Sequence, residues 1–289
     1  MRAVAQAGPG LAADAGNVVA AAEGGEKMML IPPGSRYVAM GSSFAAGPGL
    51  PTRVPGSPRR AGRSTGNYAH LLARALGLDL HDVTFSGATT GDLLRPSAAG
   101  QPAQLAAVTP DTALVTITAG GNDVGYVPRL TLASLPWPLR ALPPLTAQVA
   151  KFGDAAATDE RFAELRSNLA EIAQRLRDQA PACRALIVDY LTILPPDGQD
   201  SGPPPPAEIA RWGRAIAARL AATTREAAQA DGWDYLAASA ASADHHAWSS
   251  APWTRRFHLS LRGGAPYHPN AIGMAAIADL AAAILTREG

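Results

Sequence analysis

The sequence predicts an α/β fold: a mostly parallel sheet of five strands with helices on both faces. Three observations carry this. Short apolar runs alternate with segments of helical periodicity, the pattern of strands joined by crossover helices. Several of the runs end in glycine-containing turns, as strands do when they deliver loops to one edge of a sheet. The third run, Ala113 to Thr118, is apolar apart from its threonines, which fits a central strand buried on both faces.

In order, the first strand runs from Tyr37 to Met40 and breaks at Gly41-Ser42-Ser43. A serine at this edge has two readings. It is the N-cap of a turn, or it is a nucleophile whose backbone N–H faces a developing oxyanion. Leu50 to Thr65 is a loop dense in Pro, Gly and Arg, and Asn67 to Leu76 has helical spacing with Gly77 as its stop. Leu80 to Phe85 is a second strand, ending in Ser86-Gly87-Ala88. The third strand ends in Gly120-Gly121-Asn122-Asp123, so three small-residue turns converge on one sheet edge.

Residues 127–153 carry Pro128, Pro136, Pro138, Pro143 and Pro144 among leucines and Trp137, and are not one regular helix. An apolar insertion after a site loop is either a lid or acyl-binding wall, or a loop packed as a satellite core. Thr158 to Asp178 is the clearest helix, with Phe162, Leu165, Leu169, Ile172 and Leu176 spaced by three and four. A fourth strand, Ala185 to Leu191, a helix from Pro206 to Ala230 and a fifth strand near Trp233 to Ala237 follow. After an irregular stretch, Asn270 is placed to cap a final Ala-rich helix.

Composition narrows the function. The chain has 289 residues, 47% of them apolar, and a formal net charge of +1, with no basic block of the kind that binds nucleic acid. Arg59, Arg60 and Arg63 read as a solvated cluster. The lone Cys183 excludes a disulfide-stapled scaffold. No run reaches the roughly 18 apolar residues of a membrane span. Residues 1–29 are expected to be a flexible Ala/Gly-rich tail without the apolar core of a secretory signal, which leaves a cytoplasmic location as the sequence stands. Residues 30–289 are expected to form one domain. The oligomeric state stays open.

Gly41-Ser42-Ser43, Gly87, Gly120-Gly121-Asn122-Asp123 and His268-Pro269-Asn270 together resemble the ordered blocks of the SGNH hydrolases, the GDSL esterase/lipase family. The resemblance runs from about Tyr37 to the last helix. It implies a flavodoxin-like α/β/α sandwich and hydrolysis of small-molecule or lipid esters through an acyl-enzyme, without metal or organic cofactor. Family members are often secreted. By position, Ser43 matches the nucleophile and His268 the general base. The N–H groups of Ser43 and Gly87 and the side-chain amide of Asn122 match the oxyanion hole.

Two departures stand out. Ser42 replaces the family's usual Asp, while Ser43 keeps the nucleophile's place. The acid three residues before the histidine is replaced by Ala265. A main-chain carbonyl in the turn Gly263 to Pro266, that of Ala265, is therefore expected to orient His268, because Pro266 keeps Ala265 out of helical conformation. An apolar wall at 127–145 implies preference for short to medium acyl chains.

Three rivals compete with this reading. A nucleotide-binding protein lacks its Gly-x-Gly-x-x-Gly or Gly-Lys-Ser/Thr motif here. A catalytically impaired binding module is motivated by Ala265. A metal site at Asp244, His245 and His246 lacks a second cluster to complete it.

Overall fold

A sheet of five parallel strands is built from β1 (Arg36–Gly41), β2 (Asp79–Asp82), β3 (Thr112–Thr118), β4 (Arg184–Val188) and β5 (Asp234–Leu236) in the order β2-β1-β3-β4-β5. This is the flavodoxin-like order, whose switch point lies between β1 and β3. The computed structural model describes residues 31–97, 100–199, 205–259 and 265–287. The expected N-terminal tail, 1–29, lies outside the described residues.

The helices are α1 (Ser43–Ala46), α2 (Tyr68–Leu76), α3 (Thr90–Leu94), α4 (Tyr126–Ala133), α5 (Trp137–Arg140), α6 (Pro143–Lys151), α7 (Ala155–Gln179), α8 (Ala207–Asp231), α9 (Ala238–Ala241) and α10 (Ala271–Leu285). The chain moves from β1 outward to β2, then back past β1 to β3, β4 and β5. Right-handed crossovers therefore place α2 on one face and α7 and α8 on the other. α10 returns to pack on α2, and α3 and α4 lie against α7 and α8. Phe162, Leu165, Leu169, Ile172 and Leu176 of α7 are all buried, as their spacing requires.

Register sets the level of the site. Gly41 pairs with Thr118, so β1 and β3 end flush. β2 continues past its last ladder residue: the N–H groups of Val83 and Phe85 donate to the carbonyl oxygens of Ala39 and Gly41 at 3.0 Å each. The turns after β1, β2 and β3 thus emerge side by side. Gly41 has φ +135° and lies so close to Thr118 that a Cβ would collide with its carbonyl, so only glycine fits.

The segment 127–153 is not one regular helix, as its prolines imply. It folds as α4, α5 and α6. Pro128 lies in the first turn of α4, Pro138 in the first turn of α5, and Pro143 and Pro144 open α6. A first-turn N–H has no partner within its own helix, so proline there starts a helix rather than breaking it. β4 is also shorter than expected, ending at Val188. Among the described residues no helix is long and apolar enough to cross a membrane.

Candidate active site

Ser43 is the first residue of α1, immediately beyond the end of β1. The backbone that presents it is tied at three points. The Gln104 side chain clamps Gly41, accepting from its N–H at 2.7 Å and donating to its carbonyl at 3.1 Å. The N–H of Ser42 donates to the Thr118 carbonyl at 2.8 Å. The Ser42 hydroxyl lies 3.1 Å from the Tyr190 hydroxyl, which also accepts from the N–H of Gly121 at 2.9 Å. Ser42 is therefore committed to linking the β1 and β3 turns through Tyr190.

Ser43 is free of such duties. Its Oγ is 2.7 Å from Nε2 of His268, 225 residues away. His268 Nδ1 is 2.8 Å from the carbonyl oxygen of Pro266. A carbonyl only accepts, so Nδ1 carries the proton and Nε2 presents its lone pair to the serine hydroxyl. This corrects one expectation. The orienting carbonyl belongs to Pro266 and not to Ala265, whose oxygen faces the backbone N–H of His268 at 3.4 Å. The cause is Tyr267, which has φ +65°. That left-handed residue turns the chain so that the carbonyl two positions before the histidine meets its ring.

A tyrosine in the left-handed region is strained and persists only where its surroundings hold it. The Tyr267 ring is buried against Trp248 and Phe257, and its hydroxyl is 2.6 Å from the Ser134 hydroxyl just beyond α4. On the backbone, the Tyr267 N–H donates to the Arg255 carbonyl at 3.1 Å, and the Arg255 N–H donates to the His268 carbonyl at 3.0 Å. Beyond the histidine, the Asn270 side chain caps α10 by accepting from the N–H of Gly273 at 2.9 Å.

The turn after β2 reaches the turn after β3 through Asn122, whose Nδ2 donates to the Ala88 carbonyl at 2.8 Å. One amide hydrogen is used there and the second is left to point elsewhere. The N–H groups of Ser43 and Gly87 make no hydrogen bond among the described residues. Gly87 has φ +87° and nothing within 4 Å of where a Cβ would stand. Asp123 braces the other side, accepting from the N–H and hydroxyl of Thr90 at the start of α3, while Asn168 of α7 donates to the same hydroxyl at 3.0 Å. Burial pushes the Asp123 carboxyl up, against the pull of the Thr90 bonds.

Gln104, Tyr190 and Tyr267 carry no mark of this site in the sequence, whereas Pro266 lies in the turn expected to orient His268. For Gln104 and Tyr190 no local signal exists, because each acts on residues at least 63 positions away. The trio Asp244, His245 and His246 is occupied otherwise. His245 stacks on Trp253 at 4.3 Å, and His246 Nδ1 accepts from the N–H of Trp248 at 3.2 Å. Among the described residues no group of three His, Cys, Asp or Glu is arranged to hold a metal ion.

The GDSL-like lipase/acylhydrolase family matches residues 39–276, which span every feature just described. The chain belongs to that family. It is 33% identical over 260 residues to Lipase 2 of Streptomyces coelicolor, covering 84% of this chain and 83% of the relative. The crystal structure of an extracellular lipase from Streptomyces rimosus superposes with a TM-score of 0.66 at 25% identity, covering 86% of this chain and 99% of the other. A phospholipase A1 from Streptomyces albidoflavus shares the fold, with a TM-score of 0.70 at 24% identity over 87% of this chain and 99% of the other. The chain is thus an ester hydrolase of the GDSL/SGNH type.

Electrostatics of the pair give a pH prediction for this hydrolase. Burial lowers the His268 pKa to about 4; the Pro266 bond opposes the shift and the Arg255 charge adds to it. A base must be neutral to accept a proton, so lowering its pKa widens its working range on the acid side. kcat/KM should stay level from neutral pH down to about pH 5 and fall as His268 protonates near pH 4, whereas an unshifted histidine would titrate near 6.5. Stability shifts in the same direction. Between these values the unfolded chain takes up a proton that the folded chain refuses, so stability rises with pH and is lost as pH falls through that window. A kcat/KM midpoint at pH 6 or above would place the base in a wetter setting than this.

Proposed function

We propose that the chain hydrolyses carboxylic esters of short to medium acyl chains through an acyl-enzyme on Ser43, with His268 as general base. The observation that carries this reading is the 2.7 Å approach of His268 Nε2 to Ser43 Oγ, with Nδ1 held by a carbonyl. In the first half-reaction, the hydroxyl proton passes to Nε2 while Oγ bonds to the ester carbonyl carbon. The carbonyl oxygen becomes an oxyanion, met by the N–H groups of Ser43 and Gly87 and by the Asn122 amide. Collapse expels the alcohol, which takes the proton from Nε2, and water reverses the sequence to release the acid.

Pro266 supplies the tautomer but no negative charge, so imidazolium formation lacks the ionic support of a carboxylate partner. The rest of the site is intact, and this favours a working hydrolase over the impaired binding module that Ala265 raised. The relatives named as lipases and a phospholipase A1 act on lipid esters, in keeping with a lipid or small-molecule ester as substrate here. A series of p-nitrophenyl esters of rising chain length tests the reading. Turnover should be highest at short to medium length, with neutral esters preferred over phosphodiesters. Equal rates at every length, or a preference for phosphodiesters, would sink it.

A further inference from the structure

A concavity with a volume of about 410 Å³ starts at the site loop itself. Gly87 and Ala88 line it, and they are also the residues that offer an N–H to the oxyanion and receive the Asn122 amide. From there it runs down the free edge of the sheet. His81, Val83 and Phe85 alternate along the edge strand and its extension and so share one face. Ala103 and Ala107 form the opposite wall. Among the described residues, none of 127–153 lines it. In that segment Trp137, Leu139 and Leu142 stand exposed instead.

We propose that this groove beneath Gly87 is the acyl-chain site, and that Val83, Phe85, Ala103 and Ala107 set the chain length accepted. The inference rests on Ser43 and Gly87 acting as described above. Two features argue for an alkyl chain rather than a polar ligand. Several polar groups along the groove are engaged within the protein: the Gln104 amide by both backbone groups of Gly41, the Asp92 carboxylate by Thr89, Arg63 Nε by the Thr84 carbonyl and the Ser86 hydroxyl by the Ala61 carbonyl, which leaves His81 and Gln101 as polar side chains at its rim. What remains to meet a ligand is mainly the half-buried apolar surface of Val83, Phe85 and Ala107. The volume lies low in the range of about 300–1,000 Å³ for small-molecule sites, which suits one medium chain rather than a whole diacyl lipid. The groove meets the site at Gly87 and Ala88, and Ser43, Asn122 and His268 are not among its lining residues, so the acyl chain of an ester bound at Ser43 would enter it past Gly87.

The test measures kcat/KM for p-nitrophenyl esters of increasing acyl length in the wild type, Ala103→Phe and Phe85→Ala. The reading is the ratio of each ester to the acetate within one variant, so a general loss of activity cancels. In the wild type the ratio should rise by up to about fourfold per added methylene until the groove is full. Ala103→Phe should stop the rise earlier, lowering the ratio at the wild-type optimum about tenfold or more, the worth of two methylenes. Phe85→Ala should move the optimum to longer chains, and this opposite shift keeps the test valid if the bulky variant folds poorly. Acetates of lengthening alcohols form the second arm. Identical acyl profiles in all three proteins, or a change confined to the alcohol series, would overturn the proposal. Attachment of a fluorophosphonate to wild-type Ser43 reports the underlying reading separately, so its loss would mark a failure at the nucleophile rather than at the groove.

Discussion

Ser43→Ala is expected to abolish ester turnover, with a loss on the order of a million-fold in kcat by analogy with other serine hydrolases. The variant should fold as the wild type does. Ser43 Oγ has one described partner, His268 Nε2, and removing it leaves no protein donor stranded, because Nε2 in the neutral tautomer only accepts. Ser42→Ala is the informative contrast. It removes a buried bond to Tyr190, worth about 1 kcal/mol in stability. Tyr190 keeps its bond from Gly121, so the β3 turn stays in place and most activity should remain. Steady-state kinetics with thermal melts of both variants separate the two serines. The reverse pattern would move the nucleophile to Ser42 and break the correspondence with the family's first block.

Asn122→Ala is expected to lower kcat about 100- to 1,000-fold while changing KM little. A donor aimed at the oxyanion strengthens its bond only as charge develops, so its loss falls on the transition state and not on substrate binding. The same side chain holds the Ala88 carbonyl, hence some of the loss should come from a looser Gly87 turn. That turn retains the capping box in which Thr89 and Asp92 exchange bonds, and Asp123 still binds Thr90, so the turn should not unfold. A rise in KM matching the fall in kcat/KM, with kcat unchanged, would assign Asn122 to ground-state binding instead.

Much of this site is legible in the amino-acid sequence. Strand ends announce themselves as glycine turns, whereas the register that makes β1 and β3 end together shows only in the structure. Ser43, Gly87, Asn122 and His268 stand out as candidates by their places on strand ends and in ordered blocks. The absence of an acid before His268 is equally visible, and so is the turn that replaces it. The particular carbonyl is not. Choosing Pro266 over Ala265 requires knowing that Tyr267 is left-handed, and a tyrosine carries no local preference for that conformation. Burial of its ring and the Ser134 bond impose it from residues far away in sequence.

The prolines of 127–153 rule out one long helix but do not place the three short ones, for a related reason. A proline is a breaker or a starter according to its place in a helical turn, and a leucine-rich background does not reveal where each turn begins. Tyr190 and Gln104 are silent for a third reason. Each is an ordinary residue locally, and each becomes part of the site only when the sheet brings β4 and the loop before β3 beside Gly41.

The proposed reaction turns on a covalent bond at one hydroxyl. The most direct test is intact-mass analysis after treatment with a fluorophosphonate, followed by mapping of the tryptic peptide from Tyr37 to Arg53, which carries both Ser42 and Ser43. One adduct per chain on Ser43, strongly slowed in His268→Ala, is the expected result. An adduct on Ser42 or elsewhere, or no adduct on a protein that still turns over esters, would contradict it.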